Sequence, residues 1–338
     1  MPILLTRPPL TFARLALLAA LAGVALAAGA ACRPALPPPL APAVAHPRSH
    51  DAVDAAVASA DGVPIRYHAE GSGEPALVLI HDWCADHGDW AEQVASWSSS
   101  RQVITLDLAG HGESGRGRQS WTIESLGDDV RAVVVGLDVR QAVLVGHGMG
   151  GLAALAAAGR MPERIAAVVG VDAFQTAEGP LGTPEIGEGG EGGQAGEADR
   201  RLAAWKADFA ATAKTWLDAR LPRDCAPALR ERLAARLAAA PPEIALPLLR
   251  AALEFDVAGA IASVGRPIRD IATSQPANAA AGRRHAANFA VLDVSALGLG
   301  HFPMLTAPAE LDRQLAAALA AAGVAQPPAL RPGGPGAP

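Results

Sequence analysis

Apolar positions along this chain fall into two kinds of run. Short blocks of aliphatic and β-branched residues at Ala76–Ile80, 102–108, 142–145 and Ile165–Val171 have the length and composition of strands buried on both faces. Between them, Leu126, Val130, Val133, Val134 and Leu137 recur at helical spacing, as do Trp90, Val94 and Trp97 over 89–98, and each set makes one apolar helix face. Strand and helix in alternation predict an α/β fold, a mostly parallel sheet flanked by helices. Ahead of it, 55–60 and 63–69 flank Asp61-Gly62, which predicts an opening hairpin with a two-residue turn.

The alternation breaks at Asp172. A Gly/Glu-rich run at 179–199 has almost nothing to bury and predicts irregular chain. Residues 200–263 are helical in pattern, broken at Pro241 and Pro242, so that about 173–265 read as an inserted helical cap. Strand patterns return at 268–274 and 289–294, and 307–323 closes the domain as a helix.

The ends read differently. Residues 1–32 carry Arg7 and Arg14 ahead of an apolar run at 15–31 that ends in small residues, the layout of an export signal. Cys32 closes Ala-Gly-Ala-Ala-Cys, similar to a bacterial lipoprotein processing site except that Gly29 stands where leucine is usual. The expectation is an exported protein, periplasmic, secreted or lipid-anchored through Cys32, with an uncleaved anchor as the alternative. Residues 33–50 are a proline-rich tether and 324–338 a Pro/Gly-rich tail, leaving 51–323 as the folded domain.

Composition narrows the function classes. The 338 residues are half hydrophobic, with net charge −6 and no basic cluster, which argues against a nucleic-acid partner. Cys84 and Cys225 could pair in an exported chain or stay as free thiols.

The candidate chemistry centres on 141–160, a strand, a glycine cluster and an Ala/Leu-rich helix. As G-x-G-x-x-G, Gly146, Gly148 and Gly151 would admit a dinucleotide pyrophosphate, with Asp172 about 20 residues on as the ribose-binding acid. As G-x-S-x-G, Gly146, Gly148 and Gly150 form a nucleophile elbow with glycine in the nucleophile's place.

Four motifs in order bear on this choice: His81-Asp82-Trp83; Asp107-Leu108-Ala109-Gly110-His111-Gly112-Glu113-Ser114; Gly146-His147-Gly148-Met149-Gly150-Gly151; and Gly298-Leu299-Gly300-His301-Phe302-Pro303. Together they resemble the α/β-hydrolase fold family, in its capped ester, epoxide and haloalkane hydrolase type. The resemblance implies oxyanion-hole N–H groups from Trp83 and Met149, a base at His301 and a nucleophile position at Gly148, here vacant. The family's acid usually follows the strand at 268–274, where Ser274-Gln275-Pro276-Ala277-Asn278 has no carboxylate. Some relatives place it one strand earlier, which nominates Asp172; its other reading is a sheet-end aspartate capping the next segment.

Asp82 replaces the family glycine of the oxyanion loop, and a negative side chain there is electrostatically unhelpful. Asp107 and His111 belong to a loop-fixing motif, His147 matches a position that packs under the sheet, and Trp83 and Trp90 read as pocket wall and core. Cys84 is a candidate substitute thiol. No cofactor and no metal is implied. The expected function is a hydrolase homologue inactive or impaired in serine-dependent ester hydrolysis, with a pocket between core and cap for a small apolar, ester-like ligand. Three alternatives stand beside it: a hydrolase in which His301 activates water without a covalent intermediate, a dinucleotide-binding protein, and a ligand- or partner-binding module at the cell envelope.

Overall fold

Eight strands form one sheet in the order β1-β2-β4-β3-β5-β6-β7-β8, seen in a computed structural model that describes residues 52–174, 193–274 and 287–324. The expected export segment, tether and tail, and most of the Gly/Glu-rich run, lie outside the described residues. Strands β1 (Val53–Ala58) and β2 (Pro64–Glu70) are antiparallel, and β2 is antiparallel to β4 (Val103–Leu106). The others, β3 (Ala76–Ile80), β5 (Ala142–His147), β6 (Ile165–Val171), β7 (Ile268–Ala272) and β8 (Phe289–Asp293), run parallel. Every residue of β3, β4 and β5 is buried, as uninterrupted apolar strands require when helices cover both faces.

The core helices are α1 (Ala91–Trp97), α2 (Ile123–Gly136) and α3 (Met149–Arg160). Thr122 starts α2 with a capping box, its hydroxyl accepting the Ser125 N–H at 3.1 Å, and Leu126, Val130, Val133 and Val134 are buried on the face their spacing predicts. The inserted segment folds as α4 (Gly193–Ala207), α5 (Phe209–Asp218), α6 (Pro227–Ala238), α7 (Pro242–Glu254) and α8 (Val257–Val264), and the chain closes with α9 (Pro303–Thr306) and α10 (Pro308–Ala321).

Two expectations are corrected here. Helix α4 begins at Gly193, inside the run read as irregular. The first hairpin turns through five residues, since Ala58 pairs with Pro64. Its loop is fixed by tertiary contacts that override the two-residue turn signal: Arg118 Nε donates to Asp61 Oδ2 at 2.7 Å, and its guanidinium also reaches buried Asp129 at 2.5 Å.

Side-chain bonds tie the cap to the core. Arg236 of α6 makes a two-pronged bond to Asp89, at 2.6 and 2.7 Å, and the Trp83 indole N–H donates to the Ala245 carbonyl of α7 at 2.9 Å.

Candidate active site

Sheet register dictates which residues meet. Strands β3 and β5 are neighbours, with Ile80 beside Gly146, so the residues two steps beyond each strand position, Asp82 and Gly148, emerge side by side. His147 lies beside Val171 in the next pair, which brings Asp172 next to the same turn. The Gly148 N–H donates to the Val171 carbonyl at 3.1 Å. The chain runs from β3 to β4 in one direction and returns to β5 in the other, so these loops flank a switch point at the carboxyl ends of the strands, where open α/β sheets place their sites.

The turn has the elbow geometry. Gly148 has φ 50° and ψ −119°, a conformation that side chains resist, and helix α3 starts at the next residue. A Cβ built on Gly148 would lie 2.2 Å from Asp82 Oδ1. The Asp82 carboxylate therefore occupies the space beside the elbow that a nucleophilic side chain would need. Its Oδ1 accepts the Met149 N–H at 2.6 Å, and its Oδ2 lies 3.0 Å from His301 Nε2. Asp82 departs from the family glycine, and the departure fills the gap left by the other.

On the far side of the imidazole, His301 Nδ1 is 2.5 Å from Asp172 Oδ2. Asp172 also accepts the Ser274 hydroxyl at 2.5 Å and the backbone N–H groups of Thr273 and Ser274 at 3.3 and 3.1 Å. Of the two strand ends that could supply a carboxylate, the one after β6 brings its acid to His301, and Ser274 after β7 donates to that acid. The N–H groups of the segment that follows Asp172, at Ala173 and Phe174, donate instead to Asp270, at 3.3 and 3.1 Å.

The side chains of Asp82, His301 and Asp172 are 2%, 5% and 6% exposed, so their charges matter. Burial opposes a charged His301, but hydrogen bonds and charge from Asp172 and Asp82 outweigh it and raise its pKa to about 9. Burial likewise opposes the Asp82 carboxylate, and the His301 bond, the charges of His147 and His301 and the Met149 N–H overcome it, holding Asp82 well below the usual carboxylate range. Asp172, lowered to about 2 against the same cost of burial, is held by His301 and by Ser274. The centre is an imidazolium between two carboxylates.

His147 differs from its expected place under the sheet. Its ring centroid is 4.5 Å from that of His301 and its Nε2 donates to the His301 carbonyl at 2.7 Å. Among the described residues, Asp82, His147 and His301 each offer a donor atom within 4.8 Å of the other two, a set able to hold a metal ion.

Cys84 is no substitute nucleophile: burial, reinforced by the Asp82 charge, drives its thiol pKa up, away from thiolate. Cys84 and Cys225 are both free thiols, the second of the two states open to them. Asp107 and His111 hold their loop. Asp107 accepts N–H groups from His87 and Glu113, each at 2.8 Å, and His111 is buried near His81. The dinucleotide reading loses its acid, since Asp172 is engaged by His301 and Ser274. A Cβ on Gly146 would come within 2.4 Å of Gly151 Cα, so these glycines permit the close approach of strand and helix at the turn.

Aromatic rings of the cap cover the centre. Trp83 packs edge-on against Trp205 at 4.9 Å and lies 5.9 Å from Phe209, while Trp216 stands edge-on to His301 at 5.5 Å. Trp90 is fully buried in the core. A cavity of about 330 Å³ opens between cap and core, lined by Arg220, Pro222 and Arg223 on one side and Thr273, Ser274 and Gly300 on the other.

Sequence reading missed the role of Asp82. The signal was present as two departures in two separate motifs, glycine to aspartate at 82 and nucleophile to glycine at 148, which only the sheet register joins.

Comparison with known proteins agrees with this architecture. Residues 75–237 match the model of the alpha/beta hydrolase fold family. Over 98 residues the chain is 39% identical to the dihydrolipoyllysine-residue acetyltransferase component of the acetoin cleaving system of Pseudomonas putida, covering 29% of this chain and 26% of that protein. Over 81 residues it is 40% identical to 3-oxoadipate enol-lactonase 1 of Acinetobacter baylyi, covering 24% of this chain and 30% of that one. The chain thus spans less than a third of the length of these two curated relatives. The crystal structure of an enol-lactonase from Burkholderia xenovorans superposes with a TM-score of 0.60 at 22% identity, over 78% of this chain and 99% of that one. With its sheet order, its elbow and this match, the chain has the alpha/beta hydrolase fold.

Proposed function

We propose that this protein is a hydrolase homologue in which the serine route to ester hydrolysis is closed, with the Asp82 carboxylate seated where the nucleophile and the oxyanion would act. The observation that carries this reading is the distance of 2.2 Å between a Cβ on Gly148 and Asp82 Oδ1. Serine-dependent hydrolysis needs a hydroxyl at the elbow, an imidazole with a bare nitrogen and free N–H donors for the oxyanion. Here the hydroxyl is missing, both His301 ring nitrogens face carboxylates, and the Met149 N–H is already engaged. Loss of a triad serine alone lowers turnover by about 10⁶.

The same arrangement weighs against water activation by His301. A base must have a bare nitrogen near neutral pH, and the hydrogen bonds and charges of Asp172 and Asp82 outweigh burial and raise this imidazole to about 9. What remains is small-molecule binding between cap and core. Arg223 and the polar lining of the cavity favour a ligand with an anionic or carbonyl group over a purely apolar one. The layout of residues 1–32 as an export signal supports a role outside the cytoplasm.

The test is a panel of short-chain esters, with a chelator present, on the native chain, on Gly148→Ser and on Asp82→Gly/Gly148→Ser. Turnover is expected only in the double variant, at least about 100-fold above native. Native ester turnover that His301→Ala abolishes would overturn the reading.

A further inference from the structure

We propose that Asp82, His147 and His301 form a binding site for a divalent transition-metal ion of the zinc class. One donor atom from each lies within 4.8 Å of the other two, and all three side chains are buried. A tetrahedral zinc set, with bonds of about 2.0–2.2 Å, spaces its ligand atoms roughly 3.4 Å apart. Asp82 Oδ2 and His301 Nε2 are 3.0 Å apart, and separations of up to 4.8 Å to the third ligand close toward that spacing on binding.

The stronger argument is what holds the far side of each ligand. Metal-binding histidines almost always donate their second ring N–H to a carboxylate or a backbone carbonyl, which fixes the tautomer and aims the bare nitrogen. His301 does this through Nδ1 to Asp172 Oδ2 at 2.5 Å, and His147 through Nε2 to the His301 carbonyl at 2.7 Å. Asp82 has one oxygen fixed by the Met149 N–H at 2.6 Å, leaving Oδ2 directed at His301. Asp82 and His301 thus each have one polar atom anchored to a neighbour and the other at the shared centre. Two imidazole nitrogens and one carboxylate oxygen suit zinc, with a fourth position for water or a ligand.

On binding, the proton shared between His301 Nε2 and Asp82 leaves for solvent, as metal binding to such groups requires. The three residues sit at 82, 147 and 301, on loops beyond β3, in β5 and beyond β8, so no metal-ligand spacing appears along the chain.

The inference does not depend on the closed serine route, and the chelator in the ester assay keeps the two tests apart. The tag-free full-length chain, stripped by dialysis against a chelator, is titrated with Zn²⁺ and, separately, with Co²⁺. One saturable equivalent per chain is expected, with visible Co²⁺ bands of a four-coordinate site. Asp82→Asn and His147→Gln are expected to abolish both. Asp172→Asn, which touches only the far side of His301, should weaken binding about 10- to 100-fold. Absence of saturable binding to the folded native chain, or unchanged binding in Asp82→Asn and His147→Gln, would overturn the site. Anomalous scattering from Zn²⁺-soaked crystals of the native chain decides independently of any variant: a peak between these three residues supports the site, and a peak only elsewhere overturns it.

Discussion

The Asp82 carboxylate fits beside Gly148 only because residue 148 has no side chain: a Cβ there would lie 2.2 Å from Asp82 Oδ1. Gly148→Ser therefore carries two penalties, a side chain at φ 50° and a collision with a buried carboxylate. Together these are expected to cost about 2–4 kcal/mol, and Asp82→Gly in the same chain should remove the steric part. Thermal unfolding of both variants measures this, and an unchanged Tm in Gly148→Ser would mean the carboxylate lies elsewhere.

Stability should peak at mildly acidic pH. His301 has its folded pKa raised to about 9 from 6.5, so its contribution is complete below about 6.5 and is lost as pH rises through 9. Asp172 is lowered to about 2 from 3.8, so its contribution is present above about 3.8 and lost as pH falls toward 2. Calorimetry across pH should show Tm falling on both sides of this window, and His301→Gln should flatten the alkaline side.

Asp172→Asn keeps the shape of the acid and removes its charge. The His301 titration is expected to move from about 9 toward its ordinary value, as read by histidine NMR. Ser274→Ala removes one of several donors to Asp172, so a loss of only about 1 kcal/mol in stability is expected, with His301 still titrating high.

Much of the fold was legible because buried parallel strands write themselves as apolar blocks. Ile165–Val171 is observed at the bounds its composition implies, and the elbow after β5 follows from its glycines. The hairpin turn was not legible, since Arg118, 57 positions away, fixes Asp61. The site was legible in its parts, His301, Asp172, Met149 and the vacancy at Gly148, but not in its centre. Asp82 reaches the elbow only because β3 and β5 are sheet neighbours with Ile80 beside Gly146. That adjacency is a property of strand order, and chain spacing does not encode it.

The two described cysteines should differ in reactivity. Cys84 is buried with its thiol pKa driven up by burial and by Asp82, whereas Cys225 is partly exposed. Alkylation of the native protein near pH 8, mapped by mass spectrometry, is expected to label Cys225 and spare Cys84 until the chain is unfolded. Rapid labelling of Cys84 in the folded state would contradict its burial.

Trp83 follows Asp82 directly in the chain, and its indole N–H is bonded to Ala245 in the cap. The residue that seals the centre and the residue that fills it therefore share one stretch of backbone. Lifting the cap must either break that bond or pull on the peptide that positions the Asp82 carboxylate. For as long as that bond holds, the cap and the aspartate beside the buried histidine are joined through one residue of backbone, as a latch is joined to its bolt.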